Sequence, residues 1–182
     1  MPRSYAAGAA ALAVLLLAGC GGDDLGEKPD LPDETPALWN PCDVLDAHFV
    51  EREFGSVTTE ENGTDTLPEC RFKPEEASGQ PVVIANYALL TGTLEDAWES
   101  MGQPADADVT EPDIKDADAA RIVVDVVRKQ LYVTGFVENG DLIQNVNVVD
   151  PAPYDEAKIL AGVRATLAVL SKHAAEAGVE DS

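Results

Sequence analysis

Three consecutive runs rich in β-branched residues constrain this chain more than any other feature. Ile122-Val123-Val124-Asp125-Val126-Val127, Leu131-Tyr132-Val133-Thr134-Gly135-Phe136-Val137 and Leu142-Ile143-Gln144-Asn145-Val146-Asn147-Val148-Val149 are separated only by short polar connectors. Branching at Cβ restricts side-chain rotation in a helix and packs well on a pleated surface, so the runs predict an antiparallel meander. Glu138-Asn139-Gly140-Asp141 joins the last two, and Asn-Gly predicts a tight hairpin because both residues tolerate positive φ. Beyond Pro151 and Pro153, Asp155 is placed to cap a helix with Ile159, Leu160, Val163, Leu167 and Leu170 on one face. That face predicts packing of the helix on the sheet.

Upstream, Pro81 to Leu90 is long, apolar and free of internal breakers, which predicts a buried central strand. Asp46 predicts the start of a short helix through Ala47, Phe49, Val50 and Glu53, with Phe54 and Gly55 at its end. Ser56 to Glu60 and Glu69 to Lys73 read as strands, with Asn62-Gly63-Thr64-Asp65 as the turn between them. Thr93 and Asp96 form an Asp-containing capping box ahead of Leu94, Ala97, Trp98 and Met101, and Gly102 ends that second helix. The stretch from Gly102 to Asp118 carries Pro104, Pro112 and many acids without an apolar period, so it reads as a long loop, either functional or mobile. With helix patterns bracketing runs of strands, the expected class is α+β: a mostly antiparallel sheet of five or six strands, the N- and C-terminal helices packed on one face.

The 182 residues suit one domain with short appendages. Hydrophobic residues make up 45% of the chain and its mean hydropathy is −0.10, so the bulk can fold. Thirty-four acids against 12 Lys and Arg give a formal charge of −22. That excess repels phosphate backbones and excludes nucleic acid as a partner.

The first residues set an address. Arg3, an apolar run from Ala6 to Leu17, and Leu17-Ala18-Gly19-Cys20 have the layout of an export signal, too short to span a bilayer. Small residues directly before cysteine look like a lipobox, in which Cys20 is lipidated and becomes the mature N-terminus; an ordinary secretory signal that happens to end in cysteine is the alternative. Two acyl chains would hold even a highly acidic body at a membrane. The expected organisation is residues 1–19 as signal peptide, 20–36 as lipidated cysteine and acidic, Pro-bearing tether, 37–175 as one globular domain and 176–182 as a disordered tail.

Cys42 and Cys70 remain, and in an oxidising compartment such a pair predicts one disulfide. Two free thiols or a metal pair are the rivals, but no neighbouring Cys or His supplies further zinc ligands. Cys20 in its lipobox, the acidic tether, Asn40-Pro41-Cys42 leading into a short helix that ends at Gly55, and Cys70-Arg71-Phe72 together resemble actinobacterial lipoproteins of domain of unknown function 3558. The likeness runs from Leu38 to about Ala175, with Phe72 where many members carry Trp. The resemblance implies a small envelope lipoprotein with a disulfide-stapled α+β domain and no established activity, so no catalytic residue carries over.

His48 and His173 have neither metal-motif spacing nor an adjacent nucleophile, and no phosphate loop, G-x-S-x-G or S-x-x-K occurs. In the long loop, Asp106, Asp108, Asp116 and Asp118 are the candidate ligand or partner residues. Their alternating pairs could offer oxygens to calcium, yet neither continues into an EF-hand, and a solvated acidic loop is the preferred reading. Asn62-Gly63-Thr64 matches a glycosylation acceptor but is read as a turn. Trp39, Trp98, Tyr87, Phe136 and Tyr132 are expected in the core or its rim, or around a pocket closed by the acidic loop. The expected function is non-enzymatic and free of cofactor or metal: an anchored binding or accessory module on the outer leaflet of the cell membrane, with an envelope protein or small ligand as partner. A carrier or sensor of an apolar small molecule and an uncharacterised hydrolase are the alternatives.

Overall fold

Local chemistry sets the helix ends. The Asp46 carboxylate accepts from Phe49 N at 2.6 Å to start α1 (Ala47–Phe54), and Gly55 closes it in the left-handed region at φ 72°. Thr93 and Asp96 cap α2 (Leu94–Ser100) reciprocally, and Asp155 caps α3 (Glu156–Glu176) through Lys158 N at 3.1 Å. The computed structural model describes residues 39–64, 67–89, 92–102 and 106–178. The signal segment, Cys20, the tether and the last four residues, 179–182, lie outside the described residues, as does Asp65 of the expected turn.

The strands are β1 (Thr58–Thr64), β2 (Leu67–Pro74), β3 (Val82–Leu89), β4 (Asp108–Thr110), β5 (Ala119–Val127), β6 (Gln130–Asn139) and β7 (Leu142–Pro151). They form one antiparallel sheet of seven strands in the order β1-β2-β3-β7-β6-β5-β4. The class is α+β as expected, but the count of five or six strands is corrected to seven. The additional strand is β4, inside the stretch read as a loop. It pairs with Ile122 to Val124, and all three of its residues are exposed, so Val109 alone could not announce a strand by alternation.

One turn assignment is corrected, and the hairpin expected at Glu138-Asn139-Gly140-Asp141 is present between β6 and β7. Asn62, Gly63 and Thr64 continue β1 rather than leaving it, with the register shifting between Asn62 and Thr64. At the β6–β7 hairpin, positive φ falls on Gly140 (56°) and not on Asn139, which is fully buried. The Asn139 side chain donates to Asp116 O at 2.6 Å and to Ser171 Oγ at 3.1 Å, binding the 111–118 segment to α3. A left-handed pair sits at the β5–β6 turn, on Arg128 (φ 53°) and Lys129 (φ 67°), as the type I′ form of a two-residue hairpin loop requires.

Cross-strand partners share a face, so the register sorts the sheet. Gly135 pairs with Ile122 and Val146. A Cβ on Gly135 would lie 2.6 Å from Val163 Cγ1, so this is the face on which α3 rests. Leu131, Val133 and Val137 from β6, Val148 from β7, Val83 and Ala85 from β3, and Phe72 from β2 build the main core there with Ile159, Val163, Leu167 and Leu170 of α3. Phe49, Val50 and Phe54 bring α1 to the same side, with Phe54 lying directly against Gly162 of α3. The disulfide joins Cys42, in the 3₁₀ turn Pro41–Asp43, to Cys70 of β2 on this face. On the opposite face α2 covers only a smaller cluster, Leu94 with Val123, Phe136 and Ile143.

Candidate functional site

Two polar surfaces stand out among the described residues once the core is assigned: a cleft at the first turn of α2, and the part of the sheet beyond the small α2 cluster. The cleft, about 670 Å³, lies between that turn, the 111–118 segment, the start of β5 and the end of β6. Arg121 of β5 organises its wall. Its guanidinium lies 4.5 Å above the Trp98 ring, pairs with Glu95, and donates from Nε to Glu111 Oε1 at 3.2 Å. Only 13% of the side chain is exposed, and Nη1 is buried without a hydrogen-bond partner. Glu138 is buried and its Oε2 accepts from Leu94 N at 3.0 Å, tying the start of α2 to β6. Asp118 accepts from Gly140 N at 2.8 Å and thereby fixes the far lip to the β6–β7 turn.

Electrostatically the cleft is negative, because Glu95, Glu111, Asp113, Asp118 and Glu138 surround the one guanidinium. The four aspartates singled out in the sequence are not brought together. Asp108 sits opposite Val124 on the edge of the sheet, whereas Asp118 N bonds to Glu138 O, which belongs to the residue opposite Ala119. Five residues along β5 separate those levels by about 16 Å. Asp106 is exposed ahead of β4, and Asp116, at φ 64°, spends its carbonyl on Asn139 and its carboxylate on Lys115 at 3.2 Å. Of the four, Asp118 lines the cleft.

No family model, no curated protein and no solved structure matches the chain. Among the described residues no helix is long and apolar enough to cross a membrane. Beside the disulfide the Glu60 carboxylate lies close to both sulfurs, but sulfurs bonded to each other offer no thiolate to a metal. His173 is stacked at 4.3 Å on Trp39, whose indole N–H donates to Gln144 Oε1 at 2.8 Å; His48 is exposed on α1. Trp98 meets Phe136 edge-on at 5.9 Å under Arg121, so these rings build a core, while Tyr132 is 37% exposed on the sheet.

That second surface carries Asn86, Asn145, Asn147, Thr134 and Tyr132 on the face turned away from α3. The sequence drew attention to Tyr132 as a ring of the core, its rim or a pocket, but not to the three asparagines, Thr134, Glu95, Glu111, Arg121 or Glu138 as site residues. For the asparagines a signal was available: Asn145-Val146-Asn147 alternates with period two inside an apolar strand. For the cleft there was none, since its groups converge from segments distant in sequence.

One carboxyl is raised by the fold. Burial near the start of α3 pushes Asp150 above the usual carboxylate value, and the charge of Asp155 adds to it. A folded-state pKa above the unfolded 3.8 means that the native state holds the proton more tightly. Stability is then favoured below the unfolded value and declines as pH rises through the folded one. Asp150→Asn is expected to raise the melting temperature at pH 7, because it removes a carboxylate that the fold disfavours. The gain should vanish near pH 3, which thermal scans across pH would show.

Proposed function

We propose that the chain is an extracytoplasmic lipoprotein, held at the outer leaflet of the cell membrane through Cys20, whose folded part is a non-enzymatic binding or accessory module. The observation that carries the placement is Leu17-Ala18-Gly19-Cys20 at the end of a short apolar run behind Arg3. The Cys42–Cys70 bond supports it, because such bonds persist in oxidising compartments. The likeness to lipoproteins of domain of unknown function 3558 points the same way.

Binding is favoured over catalysis by what the polar groups are already doing. Glu138 caps α2, Asp118 fixes a turn, Arg121 is shared between two glutamates and an aromatic ring, and His173 is packed on Trp39. Five carboxylates around the cleft also favour a polar ligand over an apolar one. The partner is an envelope protein or a small ligand, and the charge of −22 argues against nucleic acid.

Cys20→Ala tests the placement. The protein is expected to move almost entirely from the membrane fraction to the medium or to an uncleaved pool. A correctly cleaved Cys20→Ala product that stays on membranes would overturn lipid anchoring.

A further inference from the structure

Asparagine is depleted from strands, because its short amide competes locally with ladder hydrogen bonds. Yet Asn86, Asn145 and Asn147 lie on β3 and β7, two inner strands of the sheet. The register sets Asn145 opposite Asn86 and Asn147 opposite Thr134, so four polar side chains form one patch on neighbouring strands. All four are half-buried. Tyr132 lies two residues from Thr134 along β6, about 7 Å away on the same face.

The patch is internally oriented. Thr134 Oγ1 donates to Asn147 Oδ1 at 2.9 Å, and Asn147 Nδ2 donates to Asn145 Oδ1 at 2.8 Å. Among the described residues Asn145 uses only its Oδ1, and neither its Nδ2 group nor the Asn86 amide makes a further side-chain hydrogen bond. Tyr132 donates its hydroxyl to Gln130 Oε1 at 3.0 Å, which steadies the ring. Donors and acceptors thus stand ready beside an aromatic face.

Charge selects the occupant. The amides and the Thr134 hydroxyl are neutral, and carboxylates stand only at the rim: Glu69 opposite Asn86, paired with Arg71 at 2.8 Å, and Asp125 opposite Tyr132. A cation gains more at the cleft, where five carboxylates converge, and the overall charge of −22 repels an anion. Vicinal hydroxyls each donate and accept, as amides do, and the C–H face of a sugar ring packs on an aromatic ring. We propose that this face binds a neutral polyhydroxylated ligand, the chemistry of an uncharged glycan chain: the three asparagines bond its hydroxyls and Tyr132 stacks against a ring. The inference deepens the binding-module reading and rests on it for placing the chain where such polymers occur.

The test is titration of the full chain, with its asparagine side chains labelled with ¹⁵N, using maltohexaose, cellohexaose, mannohexaose and chitohexaose to about 10 mM, a range that detects weak millimolar binding. Saturable shifts of the Asn86, Asn145 and Asn147 amide resonances are expected with at least one of the four. Asn147→Ala and Tyr132→Ala should each weaken that binding by at least about tenfold, the equivalent of 1.4 kcal/mol. Should Asn147→Ala fail to fold, Asn86→Ala supplies the same readout, since its amide bonds to no other side chain. Absence of saturable shifts with all four sugars overturns the proposal, as does equal or tighter binding of a hexagalacturonate. Movement of the same resonances on dilution without sugar would assign the face to a second copy of this chain and also overturn it. Anchoring is read separately by fractionation of Cys20→Ala, so loss of the anchor with the titration intact removes the placement and leaves the ligand standing.

Discussion

Replacing both Cys42 and Cys70 with alanine is expected to lower the melting temperature by roughly 10 °C, from a loss of about 3.5 kcal/mol. The bond closes a loop with a sequence separation of 28, and the loop-entropy relation turns that length into the stated loss by enlarging the unfolded ensemble. The structure gives the link a particular task. Cys42 belongs to a 3₁₀ turn of three residues, Pro41–Asp43, which is too short to hold itself; Asn40 Oδ1 accepting from Cys42 N at 3.0 Å is its cap. Cys70 is fully buried on β2, paired with Ala85 on β3. The bond therefore ties the entry of the domain to inner strands, and Leu45 and α1 follow from that point. Alanine is the right replacement, because serine at position 70 would add a buried hydroxyl without a partner and confuse two effects. Thermal melts of the oxidised protein, the reduced protein and the double variant check this. Equal melting temperatures in all three would remove the bond from any account of stability.

Much of the framework was readable because it is local. Asp46, Thr93 with Asp96, and Asp155 act on amides three residues away, and the structure places each at the helix start that its type and position predict. The three valine-rich runs likewise give the register-bearing strands β5, β6 and β7. What was missed depends on partners distant in the chain. β4 exists because β5 offers it an edge at Ile122 to Val124; its own residues carry almost no signal. Asn139 reads as a turn residue beside Gly140, yet its side chain is used as an interior bolt between Asp116 and Ser171 of α3, whose hydroxyl in turn donates to Lys115 O at 3.0 Å. Those bonds also explain why the 111–118 segment is ordered against the body rather than free.

The candidate surfaces follow the same division. Counting the acids locates an acidic loop but says nothing of which carboxylates meet. Arg121 decides that, by gathering Glu95 from α2 and Glu111 from the segment after β4 over Trp98. A guanidinium so enclosed is costly to leave unpaired in a protein interior, and Glu95 and Glu111 neutralise it at the cleft wall. The amide patch differs, because its residues alternate within single strands. Its three asparagines stand where β-branched residues would pack better, and departures from local preference of this kind are expected where function is served.

The second large effect is expected where α1 meets α3. Phe54 is buried, and a Cβ placed on Gly162 would stand 2.6 Å from its Cε1 and 2.8 Å from its Cδ1. Glycine in the middle of a helix of 21 residues is unfavourable by about 0.5–1 kcal/mol relative to alanine, so its presence marks a close approach that the packing needs. Phe54→Ala removes the ring from this contact and is expected to cost about 3–5 kcal/mol, the usual range for emptying a buried aromatic site. Gly162→Ala forces the ring aside and is expected to cost about 1–3 kcal/mol in spite of its better helix propensity. The two are in direct contact and must not add. With Phe54 already cut back to alanine, the methyl at position 162 enters the vacated space and recovers its helical preference, so the double variant should be no less stable than Phe54→Ala alone. Denaturant melts of the four proteins measure that coupling. Strict additivity would mean that α1 and α3 move apart freely, and the tight seat of Phe54 on Gly162 would then contribute nothing to holding the two helices on one face of the sheet.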